Sequence, residues 1–144
     1  MNTELDPTDH QILDLLQANA RRTYGDIGNR VGLSAPAVKR RVDRLEAAGV
    51  ISGYTTVVDH AQLGRPLEAF AELKFSGSAR VDTIAQIGNG IPEVQQVFTI
   101  AGDPDALVWI RVRDVHDLKR VIDQLRSTGD VTGTKTLMVL GTSR

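Results

Sequence analysis

Residues 23–49 read TYGDIGNRVGLSAPAVKRRVDRLEAAG and carry the signals of two helices joined by a tight turn. Thr23 can cap the start of the first helix, and Gly32 ends it. Ser34 then caps a second helix, which Gly49 ends in a left-handed conformation. Two helices separated by so short a glycine turn are typical of the helix-turn-helix, in which the second helix enters the major groove of DNA.

The second helix has an apolar face and a basic face. Val38, Val42 and Leu45 recur at helical spacing and lie within about 60° of one another around the helix axis. The basic side chains lie outside this stripe or at its edge, and the first turn has only small residues, which let a duplex approach closely. We therefore predict DNA contacts at Ser34, Ala35, Pro36, Lys39, Arg40, Arg41 and Arg44. Arg40 and Arg44 can each bind a guanine edge or a phosphate, and the sequence does not separate these two roles.

Positive charge is concentrated around this helix. Residues 21–44 hold seven basic and two acidic side chains, a net charge of +5, whereas residues 1–20 hold four acids and no base. The whole chain has a formal charge of -1, and residues 61–144 are balanced at ten bases and ten acids. A basic run is often no more than a solvated helix face. Together with the helix spacing and the turn, it favours double-stranded DNA as a partner.

The segments on either side complete a first domain. Asp6 and Asp9 have the spacing of a capping box, and the helix that they start ends near Asn19. Beyond the helix-turn-helix, residues 50–58 carry β-branched side chains on both sides of a glycine, as in a small hairpin or an extended wing. We predict a winged helix-turn-helix DNA-binding domain over residues 1–59.

A second domain follows a short linker. Residues 60–66 contain Gly and Pro without sustained periodicity, which predicts a linker. Residues 67–75 then alternate with a period of two, and residues 67–144 as a whole follow the order β-α-β-β-α-β. This order predicts an α+β protein whose second domain is ferredoxin-like, an antiparallel sheet with both helices on one side.

The side of this sheet that faces away from the helices needs a cover. Phe70, Leu107 and Trp109 occupy phases opposite to Ala69 and Val108, so both faces of the sheet carry apolar groups. A second copy of the chain is the simplest cover, which predicts a homodimer. Burial by the first domain within a monomer is the alternative.

No pattern indicates an enzyme, a metal site or a cofactor site. His10, His60 and His116 lie in separate segments, and the chain has no cysteine. Nucleophile elbows, phosphate-binding loops and zinc-protease motifs do not occur. A metabolic enzyme built on the ferredoxin-like half, with the basic helix incidental, is the disfavoured alternative.

The composition also bears on location. The longest apolar run is residues 106–110, far shorter than the roughly 18 residues of a membrane span, so no membrane partner is predicted. The lack of cysteine favours a reduced compartment. We expect a cytoplasmic protein associated with the nucleoid.

A turn in the second domain carries two carboxylates. Asp103 and Asp105 flank Pro104 next to Gly102. A purely structural turn is the simpler explanation. Carboxylates and free amides at a hairpin tip can also bind the ammonium and carboxylate groups of an amino acid, provided that a subunit boundary encloses it.

From Leu5 to Leu140 the chain resembles the Lrp/AsnC family of feast-or-famine regulators. The resemblance lies in Leu5-Asp6, Asp9, Ile12-Leu13, Val31-Gly32-Leu33-Ser34, Val38, Arg41-Val42, Leu45-Glu46, Gly49-Val50-Ile51 and Ala101-Gly102-Asp103-Pro104-Asp105. It implies a winged helix-turn-helix domain joined to a ligand-sensing domain that forms a homodimer, often further an octamer. An amino acid is the small-molecule effector that the resemblance implies.

The resemblance also implies particular residues. Effector contacts would fall on Thr99, Ala101, Gly102, Asp103, Asp105, Thr134 and Thr136. Gly28 departs from the family, because alanine is commoner at this position of the bracing helix. A glycine inside a helix is expected to lower its stability by about 1 kcal/mol relative to alanine.

These features together predict a sequence-specific, DNA-binding transcriptional regulator. Its DNA affinity or oligomeric state is expected to respond to the effector. The alternative is an architectural protein that compacts DNA with little sequence preference.

Overall fold

The structure, a computed structural model, describes residues 4–142, and the chain divides into two compact units between Val57 and Val58. The first unit holds three helices, α1 (Pro7–Ala18), α2 (Tyr24–Val31) and α3 (Ala35–Ala47). The second holds β1 (Leu67–Phe75), α4 (Val81–Gln86), β2 (Val94–Thr99), β3 (Ala106–Val112), α5 (Val115–Arg126) and β4 (Val131–Met138). Within residues 4–142, no helix is long and apolar enough to cross a membrane.

The three helices of the first unit begin at the predicted caps. Asp6 Oδ1 accepts a hydrogen bond from the amide of Asp9 at 2.8 Å, and Asp9 Oδ2 accepts one from the amide of Asp6 at 3.1 Å, which is the predicted capping box. Thr23 Oγ1 accepts from the amide of Asp26 at 3.1 Å, and Ser34 Oγ accepts from the amide three residues on at 3.3 Å. These bonds satisfy amides that have no partner within the helix, and they fix where each helix starts.

The apolar faces of the three helices form one small core. The residues buried in it are Ile12, Leu16, Ile27, Val38 and Val42. Leu45 is also fully buried, so the predicted apolar stripe of α3 points inward. The opposite side of α3 is thereby left on the surface.

Gly28 lies where the turn between α2 and α3 passes directly over α2. The amide of Leu33 donates to the carbonyl oxygen of Gly28 at 2.9 Å. A Cβ atom on Gly28 would lie only 2.3 Å from the carbonyl oxygen of Leu33. The expected gain in helix stability from alanine therefore does not apply at this position, because the tight turn has no room for a side chain.

The segment after α3 contains no strand, so of the two forms predicted for residues 50–58, a small hairpin or an extended wing, the hairpin is absent. The amides of Val50 and Ile51 donate to the carbonyl oxygen of Leu45 at 2.9 and 3.1 Å, so they close the end of α3 and are not available to a strand ladder. Further on, the hydroxyl of Tyr54 donates to Glu46 Oε1 at 2.7 Å. This segment returns to α3 through helix-capping bonds and a side-chain bond.

The second unit is the predicted ferredoxin-like fold. Its four strands form one antiparallel sheet in the order β2-β3-β1-β4. Alternate residues of β1 and β3 are buried together with residues of both helices, which places α4 and α5 on the same face. The predicted linker is a turn in which the amide of Arg65 donates to the carbonyl oxygen of His60 at 2.9 Å.

Substituting Gly28 tests the close approach of the turn to α2. Gly28→Ala is expected to lower the free energy of unfolding of the first unit by about 1 to 3 kcal/mol, since the added methyl group must displace backbone. Gly25→Ala is the matched control in the same helix, because its Cβ would have only Thr23 Oγ1 nearby, at 3.9 Å. This control is expected to raise stability by up to about 1 kcal/mol.

Thermal unfolding followed by far-ultraviolet circular dichroism measures both changes in the full chain. The fluorescence of Trp109, the one tryptophan, follows the second unit separately. Equal stabilisation by the two alanines would contradict the close approach.

Candidate DNA-binding surface and effector site

Most of the basic side chains of α3 lie on the surface of the first unit. Lys39, Arg40 and Arg44 are exposed, whereas Val38 and Val42 are buried. A row of cations on one exposed helix face can contact the phosphates and base edges of a duplex. The structure thus places three of the predicted basic DNA contacts on the exposed face of α3.

The first turn of α3 is small and accessible. Ser34 and Pro36 are exposed and Ala35 is half-buried, and the hydroxyl of Ser34 caps the helix through the amide of Ala37. A helix amino terminus with exposed small residues suits a phosphate oxygen.

Three of the four basic side chains of α3 have acidic partners. Lys39 Nζ lies 2.6 Å from Asp43 Oδ2, one helical turn further on. Arg41 and Arg44 both bind carboxylates at the start of α1. Arg40 has no acidic partner within residues 4–142.

The carboxylates that hold Arg41 and Arg44 are those of the α1 capping box. Arg41 Nη1 donates to Asp6 Oδ2 at 2.7 Å and to Asp9 Oδ1 at 2.8 Å. Arg44 Nη2 donates to Asp9 Oδ2 at 2.5 Å. The side chain of Asp9 is 1% exposed, while those of Arg41 and Arg44 are 28% and 49% exposed. We call Asp6, Asp9, Arg41 and Arg44 the acid clamp.

The acid clamp keeps both aspartates ionised. The hydrogen bond from Arg41 lowers the pKa of Asp6 below its ordinary value. Burial by itself would raise the pKa of Asp9, but hydrogen bonds from Arg41, from the amide of Asp6 and from Arg44 outweigh it, so the pKa of Asp9 is also lowered. Both carboxylates therefore hold their arginines throughout the neutral pH range.

The acid clamp holds two of the predicted DNA contacts, Arg41 and Arg44, to different extents. The guanidinium of Arg41 lies in the contact between α1 and α3, and the DNA contact predicted for it stays a prediction. Arg44 is held less, since one nitrogen binds Asp9 and half of the side chain is exposed. The capping box was predicted, but the binding of arginine by its carboxylates was not. Each cap carboxylate has a further acceptor position for an arginine.

In the second unit, Asp105 joins the loop between β2 and β3 to β1. Its amide donates to the carbonyl oxygen of Leu73 at 3.1 Å, and its Oδ2 accepts from the amide of Phe75 at 2.8 Å. Ala101 and Gly102 are exposed in the same loop. The carboxylate of Asp105 thus has a structural role in the turn, which is the simpler of the two predicted explanations.

Asp103 instead lies in a surface depression of about 530 Å³. Its carboxylate is 3.0 Å from the ammonium group of Lys74. The residues that line the depression are Glu72, Lys74, Asp103, Gly133, Thr134 and Lys135. Charges of both signs therefore surround a space large enough for a small zwitterion.

The charged residues of β1 and β4 in this depression were not predicted. Glu72 and Lys74 are two residues apart on β1, and Lys135 pairs with Glu72 across the ladder. The period of two in β1 indicates that Glu72 and Lys74 share one face of the sheet, and this is the signal that could have found them.

The remaining predicted effector residues do not meet within one chain. Thr99 is on β2 and Thr134 is on β4, and both β3 and β1 lie between these edge strands. At about 4.8 Å per strand, the two threonines are roughly 14 Å apart, too far for one small amino acid to contact both. Thr136 lies further along β4, and Thr134 Oγ1 accepts a hydrogen bond from Arg126 Nε at 2.8 Å.

The sheet face opposite to the helices, which we call the open face, is apolar at its centre. Its apolar residues are Phe70, Phe98, Leu107, Trp109 and Leu137. The rings of Phe70 and Trp109 stack with centroids 6.4 Å apart. Trp109 Nε1 donates to Glu68 Oε1 at 2.6 Å, and the guanidinium of Arg111 lies 5.4 Å from the centroid of the same ring. On the edge strands, Phe98 and Leu137 are 37% and 42% exposed.

Metal-binding geometry is not found in the described part of the chain. Within residues 4–142, no group of three or more His, Cys, Asp or Glu side chains is placed to hold a metal ion.

Both units match domains of known proteins. Residues 5–46 match the AsnC-type helix-turn-helix domain, and residues 68–144 match the Lrp/AsnC ligand binding domain. The chain belongs to the Lrp/AsnC family. The first match spans α1, α2 and most of α3, including the whole acid clamp, and the second spans the sheet with its surface depression. Like its relatives, this Lrp/AsnC chain is a DNA-binding transcriptional regulator.

Relatives of similar length support this membership. The chain is 41% identical to the HTH-type transcriptional regulator Rv2324 of Mycobacterium tuberculosis, over 94% of this chain and 92% of that protein. It is 33% identical to the leucine-responsive regulatory protein of Rhizobium meliloti, over 97% of this chain and 92% of that protein. A crystal structure of a transcriptional regulator from Neisseria meningitidis in complex with L-Met superposes with a TM-score of 0.89 at 29% identity, covering 96% of this chain and 91% of that one.

Proposed function

We propose that this regulator acts as a homodimer, binds specific double-stranded DNA through α3, and changes its DNA affinity or assembly when a free amino acid binds to the second unit. The observation that carries the DNA part is the exposed basic face of α3, where Arg40 has no acidic partner within residues 4–142. Its place of action is the nucleoid in the cytoplasm.

The exposed part of α3 is better suited to reading bases in a major groove than to binding any polyanion regardless of sequence. The first turn has small side chains at Ala35 and Pro36, which let the helix end approach base edges. Arg40 and Arg44 follow within about three turns, and arginine is the residue that most often binds guanine in a bidentate manner. Arginines that can reach guanine edges support sequence readout over general DNA compaction.

The open face supports the homodimer. It combines a stacked Phe70–Trp109 pair with exposed Phe98 and Leu137, a larger apolar area than single scattered surface residues provide. Two copies related by a twofold axis would bury the same patch on each other. A dimer also fits DNA recognition, since two recognition helices can read two half-sites one helical turn apart.

The surface depression supports an amino-acid effector. Lys74 and Lys135 can bind a carboxylate, and Glu72 and Asp103 can bind an ammonium group. The related structure from Neisseria meningitidis is a complex with L-Met, which supports an amino acid as the class of effector. We take the depression around Asp103 as the centre of the effector site, with Thr134 at its wall and Thr99, Ala101, Gly102 and Thr136 outside it in the single chain.

Removing Arg40 tests the DNA contact. Arg40→Ala is expected to weaken binding to a duplex selected in vitro by the wild-type chain, and to lower the slope of log affinity against log salt by about 1 if the contact is to phosphate. Lys119→Ala removes the same charge from an exposed position on α5 and is expected to change neither quantity.

Fluorescence anisotropy at several salt concentrations measures both variants, with a scrambled duplex as reference. Equal affinity of the wild-type chain for the two duplexes would contradict sequence-specific regulation and favour DNA compaction. Unchanged binding by Arg40→Ala would reject this contact alone.

A charge on the open face tests the homodimer. Leu137→Glu is expected to shift the mass in analytical ultracentrifugation from two chains towards one, because it buries a carboxylate without a partner. Val115→Glu adds the same charge at the exposed first position of α5, on the helix side, and is expected to leave the mass unchanged. A wild-type chain that sediments as a monomer would contradict the proposal, and a larger closed assembly would indicate the octamer.

Asp103 tests the effector site. Thermal-shift measurements with the twenty amino acids identify a stabilising ligand for the wild-type chain. Asp103→Asn is expected to weaken its binding about tenfold or more in calorimetry, because a charge-assisted bond to the ammonium group is lost. Asp82→Asn, which removes an exposed acid from α4, is the control. Failure of every amino acid to bind would contradict the effector proposal.

A further inference from the structure

The acid clamp places a carboxylate against an arginine that also reaches the surface. Asp9 Oδ2 accepts from Arg44 Nη2 at 2.5 Å, and its other oxygen accepts from Arg41. The Asp9 side chain is 1% exposed, so its position is fixed by packing, whereas half of the Arg44 side chain remains on the surface. One nitrogen of the guanidinium is therefore held from inside, while its other donors have no protein partner within residues 4–142.

A guanidinium held in this way differs from a free cation. An unrestrained arginine on a helix can swing between neighbouring phosphates, and it then adds affinity without adding discrimination. An arginine that is anchored to a buried carboxylate through one nitrogen loses less further freedom than an unrestrained one when it binds a guanine edge. The restraint favours base readout over phosphate binding.

We propose that Asp9 is a positioning residue for DNA recognition, which orients Arg44 for a base contact and withholds the charge of Arg44 from the phosphates. The proposal rests on the proposed function, since it concerns the same α3 surface. Asp9 increases the discrimination between DNA sequences. It also lowers the affinity for non-specific DNA, because it offsets a positive charge.

The Lys39–Asp43 pair provides a matched control on the same helix. It is also an acid paired with a base, with an N–O distance of 2.6 Å, but both side chains are about half exposed and neither is fixed by packing. Removing Asp43 therefore frees a cation without releasing an oriented guanidinium.

The experiment compares the affinities of the full chain for a duplex selected in vitro and for its scrambled version. Asp9→Asn is expected to lower the ratio of the two affinities at least about fivefold, the lower end of what one bidentate arginine–base contact contributes. It is also expected to steepen the salt dependence on scrambled DNA by about 1, because a cation is released. Asp43→Asn is expected to steepen the salt dependence similarly and to leave the ratio unchanged.

Arg44→Lys is a second variant, which can be measured even if Asp9→Asn does not fold. Lysine at this half-exposed position retains the charge but has no planar fork, so it is expected to lower the ratio as Asp9→Asn does. In the double variant Asp9→Asn/Arg44→Lys, the ratio is expected to fall no further than with Arg44→Lys alone, because Asp9 acts through Arg44. Circular dichroism at the assay temperature verifies that each variant is folded.

The outcomes distinguish a failure of the positioning role of Asp9 from a failure of the proposed sequence-specific DNA binding. A folded Asp9→Asn chain with the wild-type ratio overturns the positioning role, and so does an Arg44→Lys chain with that ratio or a further loss in the double variant. If Asp9→Asn does not fold, Arg44→Lys decides alone: a lowered ratio supports the role and an unchanged ratio overturns it. A wild-type chain that does not discriminate between the duplexes overturns the proposed function together with this inference.

Discussion

The burial of the Asp9 carboxylate between α1 and α3 is the constraint on which the DNA-binding unit depends. A buried carboxylate is stable only when its oxygens are paired, and Asp9 has Arg41 on one oxygen and Arg44 on the other. The same side chain belongs to the capping box that starts α1. Neither helix can slide along the other without breaking the cap or the ion pairs, so the start of α1 and the basic half of α3 behave as one rigid element.

Because of this constraint, the positive charge available on α3 is smaller than the sequence suggests. Counted along the sequence, its surroundings carry a net charge of +5 within residues 21–44. In the folded unit, carboxylates within hydrogen-bonding distance offset Lys39, Arg41 and Arg44, and two of these carboxylates come from the acidic first helix. The attraction for phosphate is therefore weaker than the count suggests, which suits a protein that must leave non-specific DNA readily to search for a site.

The features that the sequence predicts are those that depend on neighbours a few residues away. Helix caps at Asp6, Thr23 and Ser34, and the order of helices and strands along the second unit, follow from local spacing and periodicity. The acid clamp joins residues 32 to 35 positions apart, and no local pattern signals such a pair. The prediction of a hairpin after α3 was wrong for a related reason. β-Branched residues form a strand only where their amides are free, and the amides of Val50 and Ile51 bond to the end of α3.

The arrangement of the second unit would give an effector a physical route to the proposed homodimer. Lys74 lies two residues beyond Glu72 and four beyond Phe70 on β1, so all three side chains leave the same face of the sheet. The surface depression and the open face are thus parts of one surface. A ligand that competes for the Lys74–Asp103 ion pair changes the charge at the border of the patch that a second copy would cover. Because regulation requires a ligand to bind two arrangements with different affinity, a site at such a border couples binding to assembly more directly than a site buried under the helices.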